Sequence, residues 1–190
     1  MSVKILAFDG SGRKESINRN VLNHVIAEAK KLGADVTQIN LADYDLPIYN
    51  GDLESEQGIP EAVMKLKELF KSHDAFLVAT PEYNGSYSPL LKNALDWVSR
   101  PVQGQPHLGE FAGKIAGLIT ATGGKLSGMR GIYPLNTLLF SLGVTVLPSI
   151  VSIGFYNDAI DANGALKNDN DKNAAANLAT KIIKVTSALK

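Results

Sequence analysis

The residues from Gly10 to Asn18 have the composition of an anion-binding loop. They read Gly-Ser-Gly-Arg-Lys-Glu-Ser-Ile-Asn and follow a short apolar segment. Gly10 and Gly12 permit a tight turn and a close approach of backbone N–H groups to an anion. The side chains add neutral donors and one forked cation suited to phosphate oxygens, on Ser11, Ser16, Asn18 and Arg13. The loop therefore predicts a phosphate site.

Two common phosphate motifs do not fit this loop. A Walker loop requires Gly-Lys-Ser/Thr after four spacer residues, which the loop lacks. A dinucleotide-binding Gly-x-Gly-x-x-Gly would place glycine where Glu15 stands. The pattern thus favours a monophosphate over a dinucleotide. The alternative is an ordinary strand-to-helix turn with Ser16 as the N-cap, and Ser16 could serve both roles.

The elements that must position this loop alternate between short apolar runs and longer amphipathic ones. Strands are predicted at Val3–Phe8, Asp35–Asn40, Ala75–Thr80, Lys114–Thr120 and Val144–Leu147. Helices are predicted at Ile17–Leu32, Pro60–Ser72, Pro89–Arg100, Gly128–Leu142 and Lys172–Leu189. The stretch from Ala42 to Pro60 has no clean periodicity and predicts a long connection.

This alternation predicts an α/β fold. We expect one domain over residues 1–190, with a five-stranded parallel sheet of order 2-1-3-4-5 and helices on both faces. Ligands of such sheets bind beyond the carboxyl ends of the strands, where the strand order reverses. Three loops rich in glycine and polar residues should converge there: Asp9–Asn18, Pro81–Ser88 and Ala121–Arg130.

Composition argues against several classes of partner and site. The chain has 19 basic and 19 acidic residues, and we expect it to bind neither nucleic acid nor a membrane surface. It has no cysteine, which excludes thiolate chemistry. Its three histidines are isolated in sequence, so no metal site is expected. The first apolar run is too short for a secretory signal, and we expect a cytoplasmic protein.

The second loop continues into a long motif that identifies a family. Residues 81–97 read Pro-Glu-Tyr-Asn-Gly-Ser-x-x-Pro-x-Leu-Lys-Asn-Ala-x-Asp-Trp. Together with Gly-Ser-Gly-Arg-x-x-Ser-x-Asn at positions 10–18, this motif resembles the NADPH-dependent FMN reductase family. That family includes bacterial quinone, chromate and azo-dye reductases of the flavodoxin-like superfamily. The resemblance runs from the first strand through the fourth strand and its loop, and it implies a flavodoxin-like three-layer sandwich.

The resemblance also implies a set of FMN contacts. The phosphate would be held at the first loop, by Ser11, Arg13, Ser16 and Asn18, with Ile17 beside it. The isoalloxazine edge would meet the second loop, at Pro81, Glu82, Tyr83, Asn84 and Gly85. The third loop would contribute Thr122, Gly123 and Gly124, although a flexible loop that caps the next helix is the alternative there.

As implied by the resemblance, the chain is expected to be an NAD(P)H-dependent FMN reductase and to form a homodimer or homotetramer. NADPH or NADH would donate hydride, and the acceptor would be a quinone, free flavin, azo compound or chromate. FMN would carry the chemistry, and no catalytic side chain is predicted. The alternatives are a flavodoxin-like electron carrier, which would usually be acidic, and a flavin-binding redox sensor. No spacing rule selects among Arg13, Lys14 and Lys125 as a partner for a 2′-phosphate.

Overall fold

One parallel sheet organises the chain in the computed structural model, which describes residues 2–190. Its strands are β1 Lys4–Asp9, β2 Asp35–Asn40, β3 Ala75–Ala79, β4 Ile115–Ala121, β5 Thr145–Val146 and β6 Val151–Ile153. The order is β2-β1-β3-β4-β5, with β6 also paired to β4. The predicted α/β class and the predicted order 2-1-3-4-5 are both confirmed.

The fifth strand differs from its prediction over Val144–Leu147. It is only two residues long, and a further strand, β6, was not predicted. Both run parallel to β4: β5 pairs with its first two residues and β6 with its last three. Pro148 lies between them and has no N–H to donate to a sheet ladder. The edge position beside β4 is therefore filled by two short pieces.

The helices lie on both faces of the sheet. They are α1 Ile17–Lys31, α2 Gly51–Gln57, α3 Glu61–Ser72, α4 Pro89–Val98, α5 Met129–Ser141, α6 Tyr156–Ala159 and α7 Asp169–Ala188. The predicted long connection contains α2, and α6 was also not predicted. Both are short, at seven and four residues, and neither has a buried residue to give it an apolar period.

The central strands are buried on both faces, as parallel strands covered by helices must be. Alternate residues of β1 enter two different cores: Ile5 packs with α1 and α7, and Leu6 packs with α3, α4 and α5. The second core contains the ring of Phe111, against Phe70 at 5.5 Å between centroids. Among residues 2–190, no helix is long and apolar enough to cross a membrane.

The Lys-Asn-Ala-x-Asp-Trp part of the long motif fixes the connection after β2. Trp97 is fully buried, and its indole N–H donates to the carbonyl of Pro47 at 2.7 Å. A second bond to that carbonyl comes from the amide of Asn93 at 2.9 Å. Asp96 pairs with Lys92, four residues before it, and Arg100 pairs with Glu54 of α2.

Candidate functional site

The three glycine-rich loops converge at the carboxyl ends of β1, β3 and β4, as the strand order predicts. They enclose a cleft of about 170 Å³. Its lining combines donors with flat apolar surface and consists of Ser11, Arg13, Ile17, Asn18, Pro81, Glu82, Tyr83, Ala121 and Thr122. The cleft lies beside the reversal of strand order between β1 and β3, where open α/β sheets bind ligands.

The first loop is bonded to itself at its start and at its end. The N–H of Ser11 donates to Asp9 Oδ1 at 3.0 Å, and the N–H of Arg13 donates to Ser11 Oγ at 3.3 Å. Ser16 is the N-cap of α1, because its hydroxyl accepts from the N–H of Arg19 at 3.1 Å. Ser16 does not line this cleft but lines a neighbouring depression, which shares Arg13 and Ile17 with it.

Arg19 lies beneath this loop, and sequence reasoning missed it. Its guanidinium donates to the carbonyls of Lys14 and Ser11 at 3.3 and 3.4 Å and to Asn40 Oδ1 at 3.1 Å. Its Nε lies 3.6 Å from Asp9 Oδ2. A cation in the first turn of a helix opposes the helix dipole, and that mismatch was the available signal.

Asp9 is a fully buried carboxylate directly below the loop. Burial raises its pKa, and the hydroxyl of Ser16, the N–H of Ser11 and the charge of Arg19 each oppose that rise. Among residues 2–190, no hydrogen bond reaches its Oδ2 atom. Arg19 is the only cation of residues 2–190 that lowers the pKa of Asp9 appreciably, and its effect is smaller than those of the Ser16 hydroxyl and the Ser11 N–H.

Asn18 joins the first loop to the third. Its amide donates to the carbonyl of Ala121 at 3.2 Å and accepts from the N–H of Ala121 at 2.7 Å. Both residues are buried and both line the cleft. Asn18 thus fixes the start of α1 against the end of β4. Ala121 was not predicted as a site residue.

The second loop is a tight hairpin turn. Tyr83 and Ser86 form a two-way backbone bridge, with N–O distances of 2.8 and 3.1 Å. Asn84 and Gly85 between them have φ values of 53° and 83°. Positive φ at both central residues defines a type I′ turn, for which Asn-Gly is the preferred sequence. The turn places Asn84 and Gly85 at its tip, and neither lines the cleft.

One ion pair links the second loop to the helix that follows the third. Arg130 Nε donates to Glu82 Oε1 at 2.7 Å. The side chain of Glu82 is 6% exposed, whereas that of Arg130 is 62% exposed. A second cleft, of about 340 Å³, lies beside this pair and shares Glu82 and Thr122 with the first cleft.

The third loop is bonded to itself and to β6. The N–H of Thr122 donates to the carbonyl of Ile153 at 2.9 Å, and the hydroxyl of Ser152 donates to the carbonyl of Ser127 at 2.9 Å. The hydroxyl of Thr122 donates to the carbonyl of Gly124 and accepts from its N–H, both at 3.2 Å. Thr122 lines both clefts and Gly124 lines the second, with Lys125 and Arg130. Gly123 lines neither. Of the residues predicted to contact flavin, eight therefore line the first cleft: Ser11, Arg13, Ile17, Asn18, Pro81, Glu82, Tyr83 and Thr122.

This arrangement fits FMN at both ends of the molecule. The start of α1, the hydroxyl of Ser11 and the guanidinium of Arg13 offer donors and positive charge to a phosphate. Pro81 and Ala121 offer flat apolar surface to an aromatic ring. Gly10 is required for this geometry, because a Cβ there would lie 2.7 Å from Ser88 Oγ and 2.9 Å from Leu91 Cβ.

Known proteins resemble this chain in sequence and in structure. A reductase from Pseudomonas aeruginosa, named NAD(P)H-dependent FMN reductase, is 38% identical over 170 residues, covering 88% of this chain and 86% of that protein. A quinone reductase from Escherichia coli strain K12 is 33% identical over 147 residues, covering 76% of this chain and 73% of that protein. The structure of a flavoenzyme NAD(P)H:(acceptor) oxidoreductase from Paracoccus denitrificans has a TM-score of 0.79 at 27% identity and 98% coverage of both chains.

The family model for NADPH-dependent FMN reductase matches residues 3–158, which contain all three loops of the cleft. The predicted family is confirmed by this match and by the identity to the two reductases. The chain belongs to the NADPH-dependent FMN reductase family, and it is an FMN-dependent oxidoreductase.

Proposed function

We propose that this chain uses NAD(P)H to reduce a small-molecule acceptor of the quinone class, with FMN bound in the cleft of the three loops. The observation that carries the proposal is that one cleft joins the anion-binding loop to the apolar wall at Pro81 and Ala121. The names of the two reductases of similar sequence support the choice of acceptor class. Free flavin, azo compounds and chromate are the other acceptors to be tested.

FMN, when bound, supplies the hydride transfer, and the residues of this chain bind and orient it. In this proposal Ser11, Arg13, Ser16 and Asn18 hold the phosphate end, with Ile17 against the ribityl chain. The loop Pro81–Gly85 borders one edge of the ring, and Thr122–Gly124 borders another. The free N–H groups at the turn of Asn84 and Gly85 are donors to polar atoms of the ring edge. No side-chain acid or base is required.

Flavin binding and reduction by NADPH provide the test. The purified chain should be yellow or should bind added FMN, and NADPH should bleach the visible flavin absorbance under anaerobic conditions. Steady-state rates with NADPH and NADH against quinone, free flavin, azo dye and chromate then rank the acceptors. A chain that binds FMN but is not reduced by either nucleotide would instead be an electron carrier. A chain that binds no FMN would contradict the proposal.

We also propose that the chain forms a homodimer or homotetramer through the outer face of α5. Tyr133 and Phe140, seven residues apart on that helix, are 66% and 78% exposed. Residues at this spacing lie on one face, and large exposed apolar side chains on one face are typical of interaction surfaces. Light scattering after size-exclusion chromatography should give a multiple of the 20.3 kDa chain mass. Phe140→Ser should lower that mass, and a monomeric wild-type chain would contradict the proposal.

The proposal also covers the domain organisation of the chain and its location in the cell. We propose that residues 1–190 act as one flavodoxin-like FMN-binding domain, since both cores share the same sheet. A cytoplasmic location agrees with the use of NAD(P)H as the reductant. Cell fractionation followed by immunodetection tests the location, and limited proteolysis tests the single domain.

A further inference from the structure

Arg19 has an unusual position for a cation. It is the third residue of α1, at the positive end of the helix dipole, where acidic residues are preferred. The first turn of α1 contains no acidic residue. The side chain is 24% exposed and turns back under the loop instead of extending into solvent. The unfavourable interaction of this cation with the helix dipole must therefore be offset by the contacts that the guanidinium makes.

Those contacts hold the loop from its protein side. Two nitrogens of Arg19 donate to the carbonyls of Ser11 and Lys14, and one of them also donates to Asn40 Oδ1. Asp9 lies beside the remaining nitrogen, Nε. The guanidinium is thereby fixed by the ends of β1 and β2 and draws two carbonyls of the loop toward itself.

The direction of these carbonyls fixes the direction of two N–H groups. In a planar trans peptide the C=O and the following N–H point in opposite directions. No peptide bond of the described chain is cis. Because the carbonyls of Ser11 and Lys14 point toward Arg19, the N–H groups of Gly12 and Glu15 point away from it. Both residues are exposed, and neither N–H has an acceptor among residues 2–190.

We propose that Arg19 is a positioning residue for the flavin phosphate. By holding the carbonyls of Ser11 and Lys14 it presents the N–H groups of Gly12 and Glu15 to the phosphate, without contacting the phosphate itself. This inference rests on the proposed function for the identity of the ligand. Arg13 has the complementary role, because its side chain is exposed and has no hydrogen bond or ion pair to the protein within residues 2–190.

Only arginine meets the geometric requirement at position 19. The planar guanidinium has five N–H donors in a fixed fork, so it can serve two carbonyls and an amide oxygen together. A lysine ammonium retains the charge near Asp9, but its three donors radiate from one atom on a flexible stem and do not form a planar fork. Arg19→Lys therefore separates the orientation of the loop from the charge beside Asp9.

Flavin affinity gives the first test. The apoprotein and its Arg19→Ala, Arg19→Lys and Arg13→Ala variants are titrated with FMN and with riboflavin, which lacks the phosphate, by quenching of flavin fluorescence. For Arg19→Ala we expect the Kd of FMN to rise about tenfold or more, and that of riboflavin to stay within about twofold. Arg19→Lys should give an intermediate rise for FMN alone.

Amide chemical shifts give the second test, which does not depend on flavin. Uniformly ¹⁵N-labelled protein is titrated with inorganic phosphate, and the amide signals of Gly12 and Glu15 are followed. In the wild type and in Arg13→Ala these two signals should move as phosphate binds, although higher phosphate is needed for Arg13→Ala. In Arg19→Ala they should not move together, even at saturating phosphate, and in Arg19→Lys the shifts should be reduced.

The outcomes separate this inference from the proposed function. If Arg19→Ala weakens FMN and riboflavin equally, or if phosphate leaves both amides of the wild type unmoved, Arg19 does not position the phosphate. An Arg19→Ala protein whose FMN affinity equals that of the wild type also overturns the inference. If the two amides respond to phosphate in an Arg19-dependent way but the wild type binds no FMN, the proposed function fails and the positioning role stands. Should Arg19→Ala not fold, Arg19→Lys supplies the same comparison.

Discussion

The first and second loops of the cleft are held in different ways. The first loop is bonded to β1, β2, α1 and β4 through buried or half-buried partners, among them Asp9, Asn18 and Arg19. The second loop is a short hairpin turn, and its link to the α5 side of the cleft is the pair Glu82–Arg130, whose cation is largely exposed. The proposed phosphate end is therefore held by buried side-chain bonds, whereas the second loop, at the proposed ring end, is linked across the cleft by one pair with an exposed cation.

This difference suits the two tasks of the site. The phosphate is the same group in every catalytic cycle, so a preformed cradle lowers the cost of ordering donors when FMN binds. In the proposed function, the ring end admits a nucleotide and then an acceptor. An ion pair whose cation is largely exposed, as that of Arg130 is, can rearrange at small cost. The contrast predicts that mutations in the first loop affect stability strongly, and that mutations at the ring end affect mainly substrate binding.

Asn18→Ala should show the largest effect. It removes both bonds to the backbone of Ala121 and leaves a buried N–H and a buried carbonyl without those partners. Each such group costs about 1–3 kcal/mol, so the free energy of unfolding should fall by about 2–6 kcal/mol. Chemical denaturation measures this change. FMN affinity should fall with it, since α1 loses its anchor to β4.

Asn23→Ala is the matched control on the same helix. Asn23 is exposed and accepts one bond from the amide of Gln38. Its replacement should change the free energy of unfolding by less than about 0.5 kcal/mol. Equal destabilisation by Asn18→Ala and Asn23→Ala would show that the link between α1 and β4 is not what makes the first loop rigid.

Gly10→Ala and Gly12→Ala compare two glycines of the same loop. A Cβ at position 10 would meet Ser88 Oγ and Leu91 Cβ inside normal contact distance, whereas a Cβ at position 12 has no neighbour within 4 Å. Gly10→Ala should therefore destabilise by about 1–3 kcal/mol, the usual cost of an overpacked site. Gly12→Ala should stay within about 0.5 kcal/mol. Thermal denaturation distinguishes them, and equal melting temperatures would contradict the close packing of this loop on α4.

The apolar periods of the sequence were sufficient to predict the sheet and its strand order. The predicted ends of β2 match the structure, and those of β1 and β3 differ by one residue at one end or both. The fifth strand was predicted less well, because a period over Val144–Leu147 cannot show that the chain leaves and rejoins the edge of β4 around Pro148. The short helices α2 and α6 contain no buried residue, so no apolar signal marked them.

The candidate site could be predicted where side-chain type determines chemistry, as at Ser11 and Arg13. The bonding partners within the site could not be predicted where they lie far away in the sequence. Asn18 bonds to Ala121, 103 positions later, and Arg130 pairs with Glu82, 48 positions earlier. Nothing local in the sequence marks such partners, since they depend on which strand ends lie side by side. The roles assigned to the individual flavin contacts remain predictions.

Arg130→Ala should have the smallest effect on stability and thereby tests the other half of the contrast. It removes the cation of an ion pair that is largely exposed on the arginine side, so the free energy of unfolding should change by about 1 kcal/mol or less. Amide hydrogen exchange should accelerate in residues 82–86 and 122–128 and stay unchanged in residues 11–18, because only the ring loops lose a contact. Arg130→Lys should restore part of the protection, and Lys125→Ala, which leaves the pair intact, should resemble the wild type. Arg130→Ala could instead destabilise the chain as much as Asn18→Ala, or accelerate exchange in the first loop as well. Either result would show that the two ends of the cleft form one rigid unit, and the division between a fixed phosphate end and an adaptable ring end would then be wrong.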